Sequence, residues 1–155
     1  MVRLDLVKLT PLMKRTSGRQ QIGIGLIDGP VAMNHPDLSG QNLREIGGNA
    51  GGACNQANLI ACLHGTFVAG ILLAKRSSTA PAICPDCTLL VRPIFNEAIS
   101  GGERTPSATP QQLATAVLEC IAAGARVINL SLALAQPSTR GEQPLEEALD
   151  QAARR

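Results

Sequence analysis

Apolar residues in this chain come in short runs separated by polar, glycine-rich stretches. The first run, Gln21-Ile-Gly-Ile-Gly-Leu-Ile-Asp28, meets no charge until its last residue. Such a run reads as a central parallel strand buried on both faces. Gly29-Pro30 then signals a turn, and Asn34-His35-Pro36-Asp37-Leu38 with the Gly- and Asn-rich stretch through Gly52 reads as loop. From His64, the segment His-Gly-Thr-Phe-Val-Ala-Gly-Ile-Leu-Leu-Ala is apolar for more than two helical turns, until Lys75-Arg76-Ser77-Ser78-Thr79 breaks it. With small residues at Gly65, Ala69 and Gly70, it predicts a helix that opens at His64 and packs inside the domain.

A second strand is expected over Thr88-Leu-Leu-Val-Arg-Pro-Ile-Phe95, with Pro93 marking its end or an irregular pairing. Asn96 to Ser107 is polar loop. Thr109-Pro110-Gln111-Gln112 combines an N-cap, a first-turn proline and a capping-box glutamine, and Leu113, Ala116, Val117, Cys120 and Ile121 follow at helical spacing. Gly124 supplies the C-cap, and Ala125 to Ser131 is a further buried strand. Pro144 to Arg155 places Leu145, Ala148 and Leu149 on one helical face. Strand, helix and strand alternate as in a crossover unit, so the expected fold is α/β, a doubly wound and mostly parallel sheet. Gly23 and Gly25 invite comparison with a dinucleotide fingerprint, but Asp28 stands where the third glycine belongs and no helix pattern follows at once.

Composition narrows the partners. The chain has 155 residues, 45% of them hydrophobic, a net charge of +2 and only 1% aromatic residues. Its cations are scattered and the aromatic platforms that stack nucleic-acid bases are nearly absent, which argues against nucleic acid. No stretch approaches the roughly 20 apolar residues of a membrane span. The N-terminus interleaves charge with apolar residues and lacks the apolar core of a secretory signal, so a cytoplasmic location is expected. The five cysteines, Cys54, Cys62, Cys84, Cys87 and Cys120, leave at least one thiol unpaired, and in a reducing cytosol all five would be free. Cys84-Pro-Asp-Cys87 has the spacing of a redox or zinc half-site, but Cys54 and Cys62 are too far apart in sequence for a typical second half. A local disulfide or plain loop thiols is the simpler reading, with Cys120 a small buried hydrophobe.

Two residues stand out chemically. Asp28 ends a buried parallel strand, where open α/β sheets place catalytic groups. His64 opens the following helix, where the dipole disfavours imidazolium and a nearby carboxylate would support a base that must become charged. An acyl-transfer site needs a serine, a base and an orienting carboxylate, and these are candidates for the last two.

In chain order, Ile24-Gly-Leu-Ile-Asp28-Gly-Pro-Val, His35-Pro-Asp-Leu, His64-Gly-Thr-Phe-Val-Ala-Gly and Val127-Ile-Asn-Leu-Ser-Leu132 resemble the pattern of the subtilisin-like (subtilase, S8-type) serine proteases, over roughly Lys14 to Arg155. The resemblance implies a serine endopeptidase acting through an acyl-enzyme, with Asp28 as orienting carboxylate and His64 as general base. It also implies that Ser100, Gly101 and Gly102 on one side, and Ser131, Leu132 and Ala133 on the other, grip substrate backbone as an added strand. Ala133 stands where the family has glycine. The wording Ile27-Asp-Gly-Pro-Val31 and Leu90-Val-Arg-Pro-Ile-Phe95 looks most like the branch that matures cyanobactins and related ribosomal peptides, which implies cleavage or macrocyclisation of a short precursor peptide.

Two departures shape the expectation. Many subtilisins carry an Asn- and Gly-rich calcium loop after the histidine helix; here Ala74-Lys-Arg-Ser-Ser-Thr79 brings cations instead, so no metal and no other cofactor is expected. The family's oxyanion-hole asparagine and Gly-Thr-Ser nucleophile do not occur before Arg155, and Ser77, Ser78, Ser100, Ser107, Ser131 and Ser138 lack a nucleophile context. The expected organisation is therefore an N-terminal extension at 1–14 and an incomplete catalytic domain at 15–155, inactive alone and prone to associate through its incomplete sheet. The rival expectation is a non-catalytic peptide-binding pseudoprotease, or a half-domain completed by another chain.

Overall fold

The structure is a computed structural model describing residues 4–47, 54, 60–95, 107–132 and 142–155. After a 3-10 turn at Leu4–Val7 come α1 (Leu9–Arg15), β1 (Gly23–Asp28), β2 (Leu43–Glu45), α2 (Ile60–Leu73), β3 (Thr88–Pro93), α3 (Pro110–Ala122), β4 (Ala125–Leu130) and α4 (Gln143–Ala153). The strands form one sheet in the order β2-β3-β1-β4, with every pairing parallel. All six residues of β1 are buried, as its uncharged run requires.

Side chains alternate across β1 and feed two cores. Ile24 and Leu26 join Val68, Ala69 and Leu73 of α2, with Leu89 and Val91 of β3. Ile27 joins Leu90 and a cluster from α3 and α4 that includes Leu113, Val117, Cys120, Leu145 and Ala148. The capping box forms as expected: the Thr109 side chain accepts from the Gln112 backbone N–H, and the Gln112 side chain accepts from the Thr109 N–H. Gly124 takes the left-handed φ of +88° that turns α3 directly into β4. Arg92, buried on β3, is paired with Glu119 of α3 and pins the sheet to that layer.

Several expectations need correction. The helix carrying His64 begins at Ile60, because Ile60, Ala61, Cys62 and Leu63 extend the apolar helical register backward. His64 is therefore its fifth residue, beyond the first turn where the dipole acts. Within the expected loop, Leu43–Glu45 forms a short strand against β3. The expected extension at 1–14 holds most of α1, whose Met13 is buried. β4 is not a fully buried strand: it pairs only with β1 among the described residues, and Val127 is 55% exposed. Cys54 and Cys62 form a disulfide, so the cysteines are not all free, whereas Cys84, Cys87 and Cys120 are.

The segment after α2 is held by its own cations. Arg76 donates to the carbonyl oxygens of Met13, Thr16 and Ile83, and Lys75 donates to that of Pro36. Its guanidinium thus gathers the end of α1 and the approach to β3 around one positive charge. No helix among the described residues is long and apolar enough to cross a membrane.

Candidate active site

Asp28 and His64 come together at the carboxyl end of the sheet. Asp28 is the last residue of β1 and only 1% exposed; His64 projects from α2 with its ring half exposed. His64 Nδ1 lies 2.7 Å from Asp28 Oδ1. A carboxylate can only accept, so the Nδ1 proton is donated to Oδ1, and in the neutral ring Nε2 is then the nitrogen that carries the lone pair. Gly29 N–H donates to the same oxygen at 2.6 Å. Asp28 Oδ2 is buried without a hydrogen-bond partner among the described residues. The carboxylate is therefore fixed by one oxygen and aimed at one ring nitrogen.

Two glycines allow this approach. A Cβ on Gly29 would stand 2.1 Å from the Ala61 carbonyl oxygen, and one on Gly65 would stand 2.5 Å from the Gly29 oxygen and 2.6 Å from the Pro30 oxygen. The backbone of α2 thus lies directly against the chain leaving β1, and this contact sets the distance between the acid and the base. Thr66 closes it by accepting the Ala32 N–H at 2.9 Å. Gly29, Gly65 and Thr66 are functional in this positioning sense and carry no chemistry. The available signal was position: Gly29 directly follows the acid, and Gly65 and Thr66 are the two residues after the base. Cys62, two residues before His64, adds a covalent tie from Cys54 to the first turn of α2.

Of the expected substrate-binding residues, Ser131 and Leu132 follow β4 at this same end of the sheet and are half-buried. Asn129 donates its side-chain amide to Ser131 Oγ at 2.7 Å, and Leu132 packs against the α3 core. Ser100, Gly101, Gly102 and Ala133 lie outside the described residues. Cys84 and Cys87 sit away from the acid–base pair. Cys84 donates its thiol to the Leu72 carbonyl at 3.2 Å, and burial, followed by the neighbouring Cys87 thiol, pushes it up to about 12. No cluster of three or more metal-ligating side chains occurs among the described residues.

A strand-end aspartate fixed to a helix-borne histidine in a parallel sheet agrees with what sequence comparison finds: the model of the subtilase family of peptidases (peptidase S8) matches residues 19–155. The chain belongs to the subtilase family. Its fold is similar to that of a mutant of the protease domain of PatA, at a TM-score of 0.79 and 27% identity over 92% of this chain and 49% of that one. It is also similar to the prenylagaramide maturation protease PagA, at a TM-score of 0.75 and 25% identity over 95% of this chain and 47% of that one. The PatG macrocyclase in complex with peptide shares the fold at a TM-score of 0.75, with 16% identity over 98% of this chain and 54% of that one. This subtilase chain thus spans about half the length of the solved relatives. No match was found among curated proteins.

Proposed function

We propose that this chain contributes the orienting carboxylate and the general base of a serine-type endopeptidase that cleaves a short ribosomal precursor peptide. The carrying observation is the 2.7 Å bond from His64 Nδ1 to Asp28 Oδ1, which leaves Nε2 as a free base on a half-exposed ring. A serine hydroxyl supplied by polypeptide outside these residues attacks the scissile carbonyl carbon while His64 Nε2 takes its proton. Asp28 supports the imidazolium. The proton then passes to the leaving amine, the peptide C–N bond breaks, and an acyl-enzyme remains. Water, or a peptide amine in a macrocyclising variant, attacks that ester with His64 again accepting a proton, and the serine is released. Ser131, Leu132 and Ala133, with Ser100, Gly101 and Gly102 opposite, receive the substrate backbone as an added strand.

The test is labelling of the natural gene product by a fluorophosphonate serine-hydrolase probe. Labelling is expected in the natural protein and lost in His64→Ala. Asp28→Asn is expected to keep the fold and lower turnover by about 10⁴-fold, because an amide holds the ring in the wrong tautomer. Folded natural protein that takes no label overturns the catalytic reading and leaves a peptide-binding pseudoprotease. A cytoplasmic setting follows from the precursor substrate. The Cys54–Cys62 bond pulls the other way, toward an oxidising compartment, and a thiol count on protein taken from its source cells decides between them.

A further inference from the structure

The connection from α2 to β3 ends in the turn Cys84-Pro-Asp-Cys87, whose thiols the acid–base pair does not use. Cys87 N–H donates to the Cys84 carbonyl at 3.0 Å, so the four residues close a hydrogen-bonded turn, with Pro85 where its fixed φ suits the bend. Such a turn holds its first and last Cα atoms within about 7 Å, which overlaps the span that a disulfide bridges. The two thiols are already in hydrogen-bonding contact. The turn is pinned from three sides: Asp86 N–H donates to the Ser17 carbonyl at 2.9 Å, Gln41 Nε2 to that of Pro85 at 3.1 Å, and Cys84 N–H to that of Leu72 at 3.1 Å. Gly18 makes room for the sulfurs, since a Cβ there would run into Cys87 Sγ and stand 3.3 Å from Cys84 Cβ. Burial separates the two: Cys87 is 2% exposed, whereas Cys84 is only half-buried.

We propose that Cys84 and Cys87 form a redox site, a dithiol that closes to a disulfide by exchange with an external disulfide of the glutathione class and so locks the turn between α2 and β3. The half-buried Cys84 reacts first. Its thiolate attacks one sulfur of the external disulfide, a mixed disulfide forms, and one external thiol leaves. Cys87 then gives up its proton and attacks Cys84 Sγ, the mixed bond breaks, and the second external thiol leaves. Two electrons pass from the pair to the external disulfide, whose two thiols carry away both protons. Closure strands no buried polar group. Cys84 loses the S–H that it donates to the Leu72 carbonyl at 3.2 Å, but that oxygen keeps the Cys84 N–H. Burial also holds the Cys84 thiol up at about 12, and Arg76 offsets only part of this. The reduced pair therefore lacks the stabilised thiolate that makes a disulfide strongly oxidising, so the closed state is the durable one. Slow attack and durable closure suit a lock rather than an electron carrier. The inference does not rest on the proposed proteolysis.

The test equilibrates the natural gene product with reduced and oxidised glutathione, traps free thiols with iodoacetamide and weighs the tryptic peptide that begins at Ser77, which holds Cys84 and Cys87 and no other cysteine. In oxidised buffer this peptide should be two hydrogens lighter than the dithiol and carry no alkyl group; in reduced buffer it should be alkylated twice. Cys87→Ala should stall as a glutathione adduct on Cys84, whereas Cys84→Ala should leave the buried Cys87 unmodified in the folded protein. Oxidation should raise the melting temperature by about 4–8 °C more in the unaltered protein than in Cys84→Ala, a difference that removes the contribution of Cys54–Cys62. Double alkylation in both buffers, a bridge from either cysteine to another chain, or protection from alkylation that requires added zinc would each overturn the proposal. An equal melting shift in Cys84→Ala would overturn it as well, because closure would then lock nothing.

Discussion

The two faces of the sheet are finished differently. On one, α3 turns its apolar side inward, α4 seals its flank, and the buried Arg92–Glu119 pair ties the layer to β3. On the other, α2 lies so close that Gly65 touches the backbone after β1, yet its outer side keeps Leu63, Phe67 and Ile71 partly exposed in a cavity they share with Leu4 and Leu9. The first layer is amphipathic and self-sufficient. The second holds the acid–base pair and, among the described residues, leaves Ile60, Leu63, Phe67 and Ile71 of α2 exposed. Packing precision and surface closure are thus separate properties: the layer with the tighter backbone contact is the one left open.

The sharpest way to break this contrast is to fill the inner side of α2. Gly65→Ala places a methyl within 2.6 Å of two backbone oxygens that cannot rotate away, so a loss of about 3 kcal/mol or more is expected in a thermal melt, together with the His64–Asp28 bond. On the opposite side of the same helix, a Cβ on Gly70 meets nothing within 4 Å, and Gly70→Ala should raise stability by about 0.5–1 kcal/mol through helix propensity. If both substitutions were equally harmful, α2 would be covered on both sides and the contrast would fail.

The closed layer has its own weak point. Glu119→Ala strands the guanidinium of Arg92, whose side chain is 5% exposed, and the loss should approach the lower end of the about 3–5 kcal/mol seen for broken buried pairs, since Glu119 is itself 34% exposed. Arg92→Met, which removes the charge and keeps the bulk, should cost less in the same chemical denaturation. A smaller effect concerns Cys120 on α3. Burial pushes its thiol up from 9.0 to about 11, so the folded chain holds this proton more tightly than the unfolded chain does. The stabilisation is complete below about pH 9 and is lost as pH rises through 11. Melting temperature should therefore fall across that window, and the slope should flatten in Cys120→Ala.

Much of this architecture was legible in the chain. β1 announced itself as an uncharged run ending in one carboxylate, and α3 through its capping box, because buried strands and helix starts are decided by local residues. Asp28 and His64 could be named, but the contact between them could not. It depends on Gly29 and Gly65 meeting across the fold, and a glycine reports its conformational freedom without saying what it touches. β2 escaped notice because Leu43-Arg-Glu is too short to carry a period and exists by its pairing with β3. The exposure of α2 was equally hidden, since an apolar sequence states a need for cover without stating whether the cover is present.

The clamp at Arg76 changes how this module answers to its medium. A loop held by a dissolved ion comes apart when the ion is withdrawn. A guanidinium on the chain cannot be withdrawn, and its local concentration is fixed by the backbone that carries it. The join between the end of α1, the exit of α2 and the approach to β3 should therefore hold unchanged in strong chelators and in media of any divalent content. The acid–base half of the site would then stay assembled in surroundings that dismantle ion-clamped loops.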